Sequence, residues 1–226
     1  ILEILERKAS EGVDVRLIYD DIGCLLTLPY KYNEELERRG IKCCVFNQFR
    51  PVWSAKMNNR DHRKILVIDG HTAFTGGINL ADEYINEKQK YGRWKDSAVM
   101  LQGEGVWSFT VMFLSMWNYL TGNHMEDIDK YRPIPDEIAD FHDEGVVVPF
   151  TDSPLDEEPV GENVYLNIIN SAEDYVYITT PYLIIDNEMQ TALILAAKSG
   201  VDVRIITPHI PDKKAVFAVT RAHYRN

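Results

Sequence analysis

The sequence predicts an α/β fold of two similar lobes, each a mixed β-sheet flanked by helices, with the second lobe truncated. Three observations predict it. The heptapeptide Gly12-Val13-Asp14-Val15-Arg16-Leu17-Ile18 recurs as Gly200-Val201-Asp202-Val203-Arg204-Ile205-Ile206, six identities in seven at an offset of 188 residues. Each copy follows a helix-like stretch, 1–10 and 190–199, and reads as a helix, a glycine stop and a buried strand. Between the copies, the window 126–162 holds 13 acidic residues against Lys130 and Arg132 and carries Pro133, Pro135, Pro149, Pro154 and Pro159. That is the composition of a connector between duplicated halves.

Element by element, the apolar spacing Ile1, Leu2, Ile4, Leu5 marks a helix, and Gly12 opens a strand at 13–19. Helix is expected at 30–39 and strand at 41–46. Strands at 64–69 and 71–75 are joined by Asp69-Gly70, a hairpin-turn dipeptide. Helix at 79–87, strand at 96–102 and helix at 104–121 follow, then a strand at 146–150. The second half reads helix 161–171, strand 174–180, helix 187–199, strand 201–207 and helix 212–222. The expected division is a first lobe at 1–125, a connector at 126–160 and the N-terminal part of a second lobe at 161–226. The strand at 174–180 has no counterpart before Gly12, so the first lobe is expected to lack its first strand.

Composition narrows the function classes. With 24 Lys+Arg against 35 Asp+Glu the net charge is −11, and 45% hydrophobic content is that of a globular chain. Outside the acidic window the charges balance, so the basic excess that marks a nucleic-acid groove is missing. Three cysteines, Cys43 and Cys44 adjacent, make no disulfide framework. The most apolar run, 106–120, has 11 apolar residues in 15. As a helix it covers roughly 22 Å, short of a roughly 30 Å hydrocarbon core, and reads as a buried core helix.

The chemistry concentrates in Asp61-His62-Arg63-Lys64-Ile65-Leu66-Val67-Ile68-Asp69-Gly70-His71-Thr72-Ala73-Phe74-Thr75-Gly76-Gly77-Ile78-Asn79. On a strand, His62 and Lys64 project from the same side. An ammonium beside an imidazole attracts a phosphate and disfavours a second positive charge on the ring, which keeps the imidazole nucleophilic. Ile65 to Ile68 is apolar on both faces, as a central strand is. Gly76-Gly77 admits close approach to a ligand or forms a bulge, and Asn79 offers amide donors near a helix start. Asp69 serves the turn, the site or both.

The pattern His62-x-Lys64-x4-Asp69-x6-Gly76-Gly77-x-Asn79 resembles the HxKxxxxDxxxxxxGGxN signature of the phospholipase D superfamily, with no departure in spacing. Arg93-Trp94-Lys95-Asp96, Pro149-Phe150-Thr151-Asp152-Ser153-Pro154 and Thr180-Pro181-Tyr182 are similar to bacterial cardiolipin synthases. The resemblance implies a phospholipase D-like fold in which each lobe gives one His motif to a shared site. It assigns His62, Lys64 and Asp69 to catalysis and Gly76, Gly77 and Asn79 to phosphate binding. Asp96 is the candidate for orienting His62, against an ordinary strand-start role. One His attacks phosphorus and forms a covalent phosphohistidine, while the other protonates the leaving alcohol; which of them His62 is stays open.

For a cardiolipin synthase the resemblance implies phosphatidylglycerol as donor and acceptor, with cardiolipin and glycerol as products. It also implies no cofactor and no metal; His71, His124, His142, His209 and His223 show no ligand spacing. The longer protein is expected at the cytoplasmic side of the cell membrane, the chain alone to be soluble and inactive, and nucleic acid not to be a partner. The repeat offset puts the second His near residue 250, past Asn226. Arg50, Lys56, Arg60, Arg63 and Lys64, with Trp53 among them, form a basic cluster read as lipid-facing or as a solvated loop. The competing activities are a phospholipase D-type phosphodiesterase on other phospholipids or nucleic acid, and a non-enzymatic lipid-binding module.

Overall fold

The computed structural model describes residues 1–25, 27–48, 59–123, 127–134, 145–153 and 157–225. The chain is mixed α/β, with small sheets flanked by helices. It divides into two units, one of residues 1–78 and 97–150 and one of 79–96 and 151–226. Residues 79–96, placed by sequence in the first lobe, thus group with the second half.

In the first unit, helix α1 (Leu2–Ser10) turns Leu2, Leu5 and Ala9 onto a core of Leu36, Ile41 and Cys43. It stops at Gly12, whose φ of +93° only glycine adopts cheaply. Strand β1 (Arg16–Asp20) then pairs in parallel with β2 (Lys42–Phe46), Leu17 opposite Cys43. The short helix α2 (Asp21–Cys24) follows β1, and α3 (Tyr32–Arg38) leads into β2 through Gly40.

Strands β3 (Ile65–Ile68), β4 (Thr72–Gly76) and β5 (Ala98–Gln102) form an antiparallel sheet with β4 in the middle. Asp69 and Gly70 carry φ of +52° and +72°, the positive pair a tight hairpin requires. A Cβ on Gly70 would stand 2.7 Å from the Tyr131 carbonyl oxygen, which restricts the position further. The expectation of a central strand at 65–68 is corrected. Among the described residues β3 is an edge strand, with Leu66 and Ile68 exposed.

Helix α4 (Val106–Thr121) buries Val106, Thr110, Leu114, Trp117 and Asn118, one stripe at helical spacing, and packs against β2, β3 and β4. Gly122, left-handed, closes it with a hydrogen bond to the Asn118 carbonyl. A 3₁₀ turn (Ile128–Tyr131) lies beside it. The strand expected at 146–150 does not form: Val146, Val147 and Val148 are exposed and lie in irregular chain. Valine favours a strand only where a neighbouring strand supplies the ladder.

In the second unit, α5 (Val160–Asn170), β6 (Tyr175–Thr179), α6 (Asn187–Lys198), β7 (Asp202–Ile206) and α7 (Lys214–His223) follow in order. β6 and β7 pair in parallel, Val176 opposite Val203. Their inner face joins Ile169, Ala192, Leu193 and Val201 in one core. Asp186 caps α6 by accepting from the Met189 amide at 2.8 Å. The helix expected at 79–87 is instead a succession of turns. Asn86 there is left-handed and exchanges two side-chain bonds with the Trp94 backbone, at 2.7 and 2.9 Å, which compete with helix formation.

Candidate phosphoryl-transfer site

His62 and Lys64 lie on residues 59–64, which run straight into β3. The sequence put Lys64 on the strand; the strand starts one residue later, at Ile65. The segment is held in place by Asp20, the last residue of β1. Its carboxylate accepts from the Asp61 amide at 3.2 Å and from Arg60 Nη1 at 3.1 Å, and also caps α2 through the Gly23 amide at 3.0 Å. Arg60 in turn donates to the Asn47 carbonyl at 3.2 Å. Asp20 was missed from sequence. The signal that could have found it is an acidic residue just past the carboxyl end of the strand expected at 13–19, the end where α/β proteins place sites.

The next pair is local. Arg63 donates to Asp61 through Nη2 at 2.6 Å and Nε at 2.9 Å. Burial alone would push the Asp61 carboxyl up, but the Arg63 hydrogen bonds and charge outweigh it and hold the group below its ordinary value. Arg60 and Arg63, the described guanidiniums of the basic cluster, are thus engaged by carboxylates. Arg50, Trp53 and Lys56 lie outside the described residues, as do His124 and His142. His62 itself is exposed, and Lys64 Nζ donates to the His62 carbonyl at 2.6 Å, which draws the ammonium back along the same segment.

The antiparallel register brings Gly76 and Gly77 to the same end. Ile65 faces Thr75, so Gly76 follows at the end of β4 that Lys64 precedes on β3. A Cβ on Gly76 would lie 2.4 Å from the Ser97 carbonyl oxygen and 2.7 Å from Ala98 Cα; glycine is needed for that approach to β5. Gly77 donates to the same Ser97 carbonyl at 3.2 Å. Asp69 sits in the hairpin at the opposite end of β3, roughly 16 Å from Lys64 at about 3.3 Å per residue.

In the second unit, Asn79 is exposed and donates through Nδ2 to Tyr84 Oη at 2.6 Å. Asp96 accepts from Trp94 Nε1 at 3.2 Å, and Tyr84 packs on Trp94 with ring centroids 4.6 Å apart. The Tyr182 hydroxyl donates to Asp212; burial foremost, then this bond, pushes the phenol above its ordinary value. Glu162, Asp186 and Glu188 bring carboxylate oxygens within 4.8 Å of one another, and the hydrogen bond and charge of Asp186 raise Glu162. All three cysteines are free thiols, each raised foremost by burial, Cys43 to about 12. Among the described residues no helix is long and apolar enough to cross a membrane.

A small α/β protein with an exposed His and a Lys on a braced loop beside two glycines is of a kind suited to phosphoryl transfer. The family "Cardiolipin synthase, PLD-like domain" matches residues 1–106 and 165–226, and the chain belongs to it. An uncharacterized protein of Streptococcus mutans is 54% identical over 99% of the chain and 48% of its own length. Cardiolipin synthases of Geobacillus sp. and Halalkalibacterium halodurans are 37% and 36% identical over 98% and 99% of the chain, and 43% and 44% of their own lengths. The chain thus spans less than half the length of these relatives. A polyphosphate kinase from Porphyromonas gingivalis aligns with 95% of the chain and 32% of its own at a TM-score of 0.43 and 15% identity, too slight a likeness to transfer anything.

Proposed function

We propose that the chain carries one half of the catalytic apparatus of a phosphatidyl transferase that joins two phosphatidylglycerol molecules into cardiolipin and glycerol. The observation that carries this reading is the His62–Lys64 pair, on a segment braced by Asp20 and flanked by Gly76-Gly77, in a member of the cardiolipin synthase family.

An imidazole nitrogen attacks the phosphodiester phosphorus of the first lipid. A P–N bond forms, the P–O bond to the glycerol headgroup breaks, and the second imidazole delivers its proton to the departing oxygen. That second ring, now neutral, takes the proton from a hydroxyl of the next phosphatidylglycerol. The freed oxygen attacks phosphorus, the P–N bond breaks, and cardiolipin leaves. His62 supplies one imidazole of the pair. Lys64, once its ammonium swings from the His62 carbonyl, stabilises charge on the non-bridging oxygens. Asp69 acts on the site only through the hairpin that sets the β3–β4 register.

The second imidazole belongs to the other lobe, in a polypeptide of the relatives' length, working at the cytoplasmic face of the membrane that holds its lipid. The 226-residue chain alone then transfers nothing. Glycerol release from phosphatidylglycerol micelles tests this, with the chain compared against a polypeptide extended to the relatives' length. Release by the extended form alone is expected. Substantial release by the chain itself, abolished by His62→Ala, would show that one motif suffices.

A further inference from the structure

Residues 213–226 hold Lys213, Lys214, Arg221 and Arg225 and no Asp or Glu, in a chain of net charge −11. All 35 acidic residues therefore lie before them, with 20 of the 24 basic ones. The segment is helix α7 with its flanks, and its charges do not serve the helix itself. Lys213 stands at the N-cap without a capping bond, Lys214 opens the first turn, and no acidic residue accompanies them. The positive end of the helix dipole disfavours cations there.

The contacts of α7 settle which face turns inward. Thr220 is fully buried and its hydroxyl oxygen accepts from the Leu183 amide at 3.0 Å. His223 Nδ1 stands 3.4 Å from Gln190 Oε1, and Val216 and Phe217 are half-buried. At about 100° per residue, Lys214, Ala218, Arg221, Ala222 and Arg225 fall in one exposed stripe on the other side. Tyr224 keeps right-handed dihedrals, so Arg225 continues the stripe past the helix end. Ala218, Arg221, Ala222 and Arg225 line a shallow depression of about 420 Å³. Lys214, Arg221 and Arg225 pair with no carboxylate among the described residues, unlike Arg16, Arg39, Arg60, Arg63 and Arg204.

We propose that the outer face of α7 docks the chain on an anionic lipid bilayer, with Arg221 and Arg225 taking headgroup phosphates. A guanidinium fork matches phosphate oxygens, and the alanine floor between the two forks lets a headgroup come close. Ala218 and Ala222 are too short to wedge among acyl chains, so the contact is electrostatic and stays at headgroup level. The three free cations share one convex ridge, which a plane of headgroups meets from one side. Acidic residues beyond about 10 Å of that plane are screened at 0.1 M salt. A nucleic acid gripped along a groove would instead meet the acidic remainder of the chain. The inference rests on the proposed transferase in one respect, the choice of phosphatidylglycerol as the anionic lipid.

The test reads binding rather than turnover, so its failure is separate from that of the transferase. The 226-residue chain is sedimented with vesicles of phosphatidylcholine alone and of phosphatidylcholine mixed equally with phosphatidylglycerol. Binding to the mixed vesicles alone is expected, and its loss at about 0.5 M salt, where the Debye length falls to about 4 Å. Arg221→Glu with Arg225→Glu should lower the partition at least about tenfold, since each cation near an anionic surface counts separately. Lys8→Glu with Lys198→Glu makes the same change of net charge on other helices and should leave the partition within about twofold. Both pairs are exposed, and an unchanged Tm shows that the variants fold; Arg221→Gln with Arg225→Gln, at about half the effect, covers a failure of the first pair. No binding, equal binding to both vesicles, or equal losses from the two charge reversals overturns the proposal. So does tighter binding of a single-stranded oligonucleotide that the Arg221 and Arg225 reversals abolish, which would assign the face to nucleic acid.

Discussion

Asp20 shows how one side chain converts strand geometry into a site. It ends β1, caps α2 and holds both Arg60 and the Asp61 amide, with Asp20 and Arg60 each only 12% exposed. Asp20→Ala would strand Arg60 without its carboxylate, and breaking such a pair costs about 3–5 kcal/mol. Urea denaturation should show a loss of about 3 kcal/mol or more, with Asp20→Asn, which keeps the cap, losing less. Asp61 adds a pH dependence. Its folded carboxyl lies below the unfolded value, so the stabilisation is complete above about pH 4 and fades as pH falls through the folded value. Arg63→Ala removes the cause, and the acid-unfolding midpoint should move to higher pH. Gly76→Ala forces a methyl against the Ser97 carbonyl and should cost about 2–4 kcal/mol, read as a lower urea midpoint.

Among the elements, the helix starts of the second unit carry an opposite sign of pH dependence. Glu162 in the first turn of α5 meets Asp186, the cap of α6, and Glu188 just inside it. Each suits its own helix dipole, yet the hydrogen bond with Asp186 first, then the charges of Asp186 and Glu188, raise the Glu162 carboxyl. That group stabilises the fold most below its unfolded value, and the contribution is lost as pH rises through the folded one. Glu162→Gln should therefore raise Tm at pH 7, with the gain vanishing below about pH 4 in a thermal melt. The elements legible in sequence were those governed locally. Asp69-Gly70 gives the hairpin, Gly12 and Gly200 stop their helices, and the 106–120 stripe gives α4. The illegible ones depended on partners. Residues 79–87 have apolar spacing enough for a helix, but Asn86 binds Trp94 instead, and the valines at 146–148 find no ladder. The His62 segment was legible by residue type. Its brace was not, because Asp20 acts from 41 residues away.

At the scale of the whole molecule, one repeat is built twice in different surroundings. The Gly–strand–ion-pair unit at Arg16 is closed by Trp117 and Tyr131, whereas its copy at Arg204 stands open. The proposed chemistry needs two imidazoles in different protonation states, and the chain carries one His–Lys motif. The central claim is that His62 is one of those two. Cardiolipin formation from phosphatidylglycerol, assayed in a polypeptide of the relatives' length, tests it most directly. His62→Ala should abolish turnover at an unchanged Tm, with Lys64→Ala falling at least about 10²-fold as the loss of one transition-state stabiliser does. Turnover by His62→Ala above about a tenth of the unsubstituted rate, a cost of under about 1.4 kcal/mol in the barrier, would contradict the account.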